Sequence, residues 1–290
     1  MTAVPTVAPD RIGRVGRVPI LIYHSVTTDA TDRYRGFAID PGLFREQMDA
    51  VVDAGSRTIT VDEMASAIAH RDAAAVERAV VLTFDDGFRE VHGLVLPVLQ
   101  QLALRATAYL VSAYIGGTSR WLAADGEADR PLMSWTEVRE LASEGVEIGA
   151  HGHRHVPLDL LRLSDATDEV VRSRRVLEDG LGRAVTSFAY PYGYHTGGVK
   201  AAVKEAGYTN ACGVKQAISH LDDDRFGLAR IIVYSDTRPE VLRDWLAGVG
   251  LPLGWRNERL VTRVWHAVRR ARARLGRDEA SPPSPDGAGR

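Results

Sequence analysis

The chain has 290 residues, enough for one large α/β domain with a full core or for two small ones. Its 36 Lys and Arg against 38 Asp and Glu leave a net charge of -2 at pH 7, so no global field argues for nucleic acid or for a polyanionic partner. A single cysteine, Cys212, excludes an intramolecular disulfide framework and a cysteine-rich metal site, and reads as a core thiol in a reducing compartment.

The opening residues, MTAVPTVAPDRIGRVGRVPI, carry no apolar stretch behind a basic head, and no window nears the roughly 20 apolar residues of a membrane span. The expectation is a cytoplasmic protein without a transmembrane segment, residues 1–17 forming an N-terminal extension. Six short apolar runs follow: VPILIYH (18–24), AVVLTFD (79–85), ATAYLV (106–111), VEIGAH (146–151), TSFAYP (186–191) and LARIIVY (228–234). Helix-period segments separate them, which predicts βα units around a parallel sheet, open or closed into a barrel. Asp40 as N-cap, Pro41 in the first turn and Gly55 as stop bracket one helix, whose apolar face holds Leu43, Phe44, Met48, Val51 and Val52. Ser134 with Glu137 makes a capping box for a second, which Gly145 closes. Residues 114–131 read as a long surface loop able to overhang a site. A basic amphipathic helix is expected over 256–275, and a disordered tail over 276–290.

Polar groups gather at one end of the predicted strands, the rim where parallel α/β folds place their sites. His24 ends the first strand, Asp85 and Asp86 the second, and His151, His153 and His155 follow VEIGA. TSFAYP runs into Pro191, Tyr192 and Gly193. Successive strand residues point to opposite sides, so Asp85 and Asp86 are expected to divide labour. One carboxylate with two imidazoles is a three-ligand set for a catalytic divalent metal. His151 and His155 can meet at one ion if the chain turns helically after the strand. Glycine stands where an H-E-x-x-H motif would carry its base, which leaves the spare aspartate as supplier.

TFDDG (83–87), HGHRH (151–155) and FAYPYG (188–193) resemble the three motifs of the polysaccharide deacetylases of the NodB-homology type, carbohydrate esterase family 4. The resemblance runs from about Val18 to Leu246, and VPILIYHSV is similar to the branch near the poly-N-acetylglucosamine deacetylases. It implies a single-domain α/β fold over 18–255, a distorted, incomplete (β/α) barrel. It implies hydrolysis of an N-acetyl amide on a sugar or glycan by metal-activated water. Residue by residue, it implies Asp86, His151 and His155 as ligands of zinc or another divalent ion, and Asp85 as general base. Tyr192, following Pro191 in the substrate contact, would aim its backbone N–H at the oxyanion. His24 would be the general acid.

The sequence departs from the family pattern twice. Ala189 stands where many members carry an arginine that orients the base; Arg230 is either its substitute from a neighbouring strand or a structural salt-bridge arginine. The late histidine motif is not evident after Asp236, which leaves His24, or else His195 or His220, as acid. Trp121, Trp135 and Tyr194 are candidates for stacking on sugar rings or for core packing. Two rival readings stand beside the deacetylase: a non-catalytic carbohydrate-binding relative that keeps the metal site, and a nucleotide hydrolase with a Walker B carboxylate, which the missing phosphate loop disfavours. The sequence carries no signal of oligomeric state.

Overall fold

Ala79–Phe84 is a β-branched and apolar run buried at every position, and it forms the centre of the sheet in the computed structural model, which describes residues 16–254. The chain opens with β1 (Arg17–Val18), β2 (Ile20–Tyr23) and β3 (Ser25–Val26), then β4 (Ala38–Ile39) and helix α1 (Pro41–Asp53). β5 (Arg57–Ile59) leads into α2 (Val61–His70), β6 (Ala79–Phe84) into α3 (Leu96–Gln101), and β7 (Thr107–Leu110) through a long loop into α4 (Trp135–Ser143). β8 (Glu147–Ala150) precedes α5 (Leu163–Leu181), and β9 (Ser187–Ala189) precedes α6 (Gly197–Glu205). β10 (Asn210–Cys212), β11 (Ser219–His220), β12 (Ile231–Ile232) and α7 (Pro239–Leu246) follow.

The main sheet is parallel throughout, in the order β10-β9-β8-β7-β6-β2-β12, with β5 beside the start of β6. One segment touches both edges: Leu228 bridges to Cys212 of β10, and three residues on Ile231 pairs with Leu21 of β2. The sheet is therefore curled towards a barrel that no continuous ladder closes, the distorted, incomplete (β/α) barrel that the motifs imply.

The two-residue period of the strands sorts their side chains into two cores. Outward residues, among them Leu21, Leu82, Phe84, Ala108 and Ile148, pack with Phe44 and Met48 of α1, Val138 and Leu141 of α4 and Val170 of α5. Inward residues, Ile20, Val81, Tyr109, Ala189 and Cys212, pack with Val61 and Met64 of α2, which closes the barrel at the strand starts. Carried on in steps of two, the same inward register reaches His24, Asp85, His151 and Arg230 at the other end.

Asp40 accepts N–H groups from Gly42 and Leu43 to start α1, and the Ser134–Glu137 capping box starts α4. Three expectations change. β5 and β10, three residues each, are too short to stand out as periodic runs, yet both pair in the sheet. The predicted strand 228–234 shrinks to Ile231–Ile232 because its first half turns towards β10. Residues 114–131 are an ordered lobe, not an open loop: Ser119 and Leu122 are buried, Thr118 bridges to Pro131, and Leu122 packs with Tyr34, Phe88 and Leu132. The amphipathic segment 256–275, the tail 276–290 and most of the N-terminal extension lie outside the described residues.

Gly149 shows how tightly the inner core is filled. A Cβ there would stand 2.5 Å from the Tyr109 ring and 3.0 Å from the Ser187 carbonyl oxygen. Gly149→Ala is expected to cost about 1–3 kcal/mol by overpacking, read as a lower urea midpoint with an unchanged m-value. An unchanged midpoint contradicts this packing.

Candidate active site

Asp85 and Asp86 follow the last residue of β6, and the backbone separates their tasks. Asp85 keeps the inward register and is gripped by Arg230: Nη1 donates to Oδ1 at 2.7 Å and Nη2 to Oδ2 at 2.8 Å. Arg230 is fully buried, and its remaining contacts are the Gly213 carbonyl, the Thr83 hydroxyl and the face of Tyr109. Burial alone pushes the Asp85 carboxyl up, but the Arg230 guanidinium outweighs it and brings the pKa to about 2. Asp85 is thus ionised at any physiological pH. Arg230 is therefore no surface arginine: it reaches Asp85 from a neighbouring strand, the contact that both a substitute for the arginine missing at Ala189 and a structural salt bridge would make.

Asp86 turns away from this pair with φ +72°. Its Oδ1 lies 3.3 Å from Nε2 of His155 and 3.9 Å from Nε2 of His151, and one ligand atom from each of the three residues falls within 4.8 Å of the others. The two histidines do not meet through a helical turn. After β8 the chain folds back through left-handed backbone at Gly152 and His155, φ +74° and +58°. Gly152 suits its place: the conformation favours glycine, and a Cβ would press on Pro191 at 3.1 Å. Seven non-glycine residues have positive φ among the described residues, and three of them, Asp86, His155 and Tyr192, sit here. Strained backbone is thereby concentrated where side chains must converge.

The donor set fits a cation on several counts. The Nδ1 of His151 makes a 2.8 Å hydrogen bond to the Ala189 carbonyl, which fixes the tautomer and leaves the Nε2 lone pair facing the aspartates. Asp86 Oδ1 is buried without a hydrogen-bond partner among the described residues. Burial, reinforced by Asp85, raises the Asp86 pKa well above its ordinary value; burial lowers His151, and burial with the His151 charge lowers His155 well below. The imidazoles are neutral and ligand-competent, while the Asp86 carboxylate lacks a positive partner. Two metal–ligand bonds of about 2.1 Å reach across at most about 4.2 Å, which covers both separations quoted for Asp86. Around the group, the carboxylates Asp85, Asp86, Glu90 and Glu127 face the guanidiniums Arg130 and Arg230. By formal count the carboxylates exceed the guanidiniums by two, the excess one divalent cation would balance, and burial raises the pKa of Asp86 and Glu90 accordingly.

His24 sits at the same rim, its ring 5.1 Å from Phe37. Burial lowers its pKa to about 4, with Asp85 pulling the other way and Arg230 and His151 adding to the drop. Its Nδ1 is buried with no hydrogen-bond partner among the described residues. Tyr192 follows the buried Pro191, is 41% exposed, and lays its ring edge-on to His155 at 4.7 Å. Trp121, from the 114–131 lobe, also stands against His155, its ring tilted at 5.1 Å. Trp135 packs against Gly180 and Arg139 instead, and His195 lies flat on Tyr190 at 4.3 Å. His220 pairs with Arg17 beside the strand starts, at the opposite end from the site. Glu90 and Arg130 escaped the sequence reading: the Arg130 guanidinium binds Glu90 and stacks on Phe88 at 4.4 Å, tying the lobe beside Asp86. Their forty-residue separation left no local signal.

Residues 72–211 match the family model described as polysaccharide deacetylase. YxkH of Bacillus subtilis is 24% identical over 217 residues, 75% of this chain and 71% of that protein. The poly-β-1,6-N-acetyl-D-glucosamine N-deacetylase of Escherichia coli K12 is 30% identical over 134 residues, which is 44% of this chain and only 20% of that enzyme. Among solved structures, IcaB from Ammonifex degensii superposes with a TM-score of 0.69 at 22% identity, covering 80% of this chain and 97% of that one, and so shares the fold.

Arg230→Met leaves Asp85 buried without its counter-charge, and is expected to destabilise the fold by about 3–5 kcal/mol in chemical denaturation. Adding Asp85→Asn to that variant should recover part of the loss, because it removes the stranded charge. Equal stability of the single variant and the parent contradicts the pairing.

Proposed function

We propose that this chain, whose residues 72–211 match the polysaccharide deacetylase family model, hydrolyses the N-acetyl group of an N-acetylated sugar or glycan with the help of a divalent cation. The observation that carries the reading is a buried carboxylate and two neutral imidazoles converging beside a second aspartate that a buried arginine keeps ionised. In this reading Asp86, His151 and His155 hold the cation, zinc or another divalent ion. Such an ion, when bound, lowers the pKa of water and polarises an acyl oxygen.

The chain's own residues supply the rest. Asp85, whose Oδ2 is 3.6 Å from His151 Nε2, stands beside the donor set and accepts the proton that the attacking water gives up. Its pKa of about 2 makes it a brief holder of that proton, which must end on the departing nitrogen. His24 is neutral in the resting site, so the proton it delivers to the amine is the one released in the reaction. The backbone N–H of Tyr192 is assigned to the oxygen that becomes negative as the carbonyl is attacked. Pro191 holds Tyr192 in place, and Trp121 and the exposed Tyr192 ring flank His155, where a sugar ring could stack.

The relative from Escherichia coli is named for an N-acetylglucosamine polymer, and the substrate proposed here is an N-acetylglucosamine-containing glycan or oligomer. The binding-only alternative drew its support from the arginine absent at Ala189; with Arg230 on Asp85 that support falls away.

Acetate release from N-acetylglucosamine oligomers tests the proposal. Activity should vanish on chelation and return with Zn²⁺ or Co²⁺. Asp85→Asn should lower turnover by about 10²–10⁴-fold with metal content retained, whereas His151→Ala should lose the metal itself. Full amide hydrolysis by metal-loaded Asp85→Asn contradicts the assignment of the base.

A further inference from the structure

Between the two histidines the chain passes through Gly152, His153 and Arg154 without helical or strand pairing. A turn of this kind keeps one shape only if its backbone groups are engaged. Its carbonyls are met from the turn after β7: the Ser112 N–H donates to Gly152 O at 3.3 Å and the Ala113 N–H to His153 O at 2.9 Å. Its N–H groups are met by one side chain. Glu169 on α5, 1% exposed, accepts the N–H of His153 at 3.1 Å and of Arg154 at 2.8 Å on Oε2. Its Oε1 takes Nε of Arg154 at 2.6 Å.

A carboxylate buried to this degree is costly unless fully hydrogen-bonded, and here its partners belong to His153 and Arg154, two of the three residues that separate His151 from His155. Most of the buried face of α5 is apolar, through Ala166, Val170 and Leu177; of its two buried polar residues Ser173 bonds Val170 and Tyr208, and Glu169 is the one aimed at the loop.

We infer that Glu169 is a positioning residue for the imidazole pair. It braces the 152–154 turn so that Nε2 of His155 arrives 3.3 Å from Asp86 Oδ1, while the left-handed conformation of His155 is held against relaxation. The inference deepens the proposed function and rests on its reading of Asp86, His151 and His155 as a cation site. A residue that merely docked α5 would lower the melting temperature and leave the metal affinity of the folded protein alone.

The test titrates Zn²⁺ calorimetrically into metal-free parent, Glu169→Gln and Glu169→Ala, each checked for folding by circular dichroism, and records the visible spectrum of the Co²⁺ form. Gln keeps one acceptor oxygen and should lose about tenfold in affinity; Ala keeps none and should lose about a hundredfold, with a weakened Co²⁺ band as His155 drifts from the ion. If Ala does not fold, Gln decides alone. A folded Gln variant with the parent's affinity and spectrum overturns the inference and leaves the cation site standing. A parent that takes up no metal overturns the cation reading and this inference with it.

Discussion

The site depends on one buried ion pair, Asp85 with Arg230. A bidentate guanidinium is the partner a desolvated carboxylate needs, since it returns both hydrogen bonds and charge in a fixed plane. Buried pairs contribute little net stability against an apolar alternative, so its value is better sought in specificity. Arg230 sits between the bridge to β10 and the pairing with β2, where the curled sheet is drawn together. The interaction that keeps Asp85 charged therefore also joins the segment closing the barrel to its central strand. Asp85 Oδ2, while held by Arg230, still comes within 3.6 Å of His151 Nε2, and Asp86 is the carboxylate that lies near both imidazoles.

Around that pair the fold sets backbone strain against braces. Asp86, His155 and Tyr192 all adopt left-handed backbone that a non-glycine residue avoids. Each belongs to a loop at a strand end, where no ladder imposes a conformation. What holds the loops is side-chain chemistry: the Ala189 carbonyl on His151, Glu169 on the histidine turn, and Arg130 with Glu90 on the lobe that carries Trp121. The result is a cluster whose carboxylates outnumber its guanidiniums and whose imidazoles are neutral, an electrostatic arrangement suited to a small divalent cation.

Much of the fold was legible in the sequence because its central strands are β-branched runs and its helix starts are marked by side chains that act locally. Asp40, Pro41 and the Ser134–Glu137 pair each fix a boundary within three residues of themselves. β5 and β10 were not legible, since three residues carry no period and their burial is decided by neighbours far along the chain. The Asp85–Asp86 pair and the histidine triplet were legible as a constellation because adjacent strand ends share a rim. Their geometry was not: no local rule foretells that Gly152 and His155 both turn left-handed in place of a helical turn. Arg230 was visible only as one of two readings, because 145 residues separate it from Asp85 and only the barrel brings them together. Glu169 gave no signal, being one of many acidic residues on an amphipathic helix until the loop is laid against it.

The central claim is a division of labour: Asp86 and the two imidazoles take the cation while Asp85 stays with Arg230. Anomalous diffraction at the zinc edge, on crystals grown with Zn²⁺, tests it most directly. The account predicts one peak bonded to Asp86, His151 and His155 at about 2.0–2.2 Å, with both Asp85 oxygens still on the guanidinium. A peak ligated by Asp85 with Arg230 displaced, or no peak at this group, would contradict it.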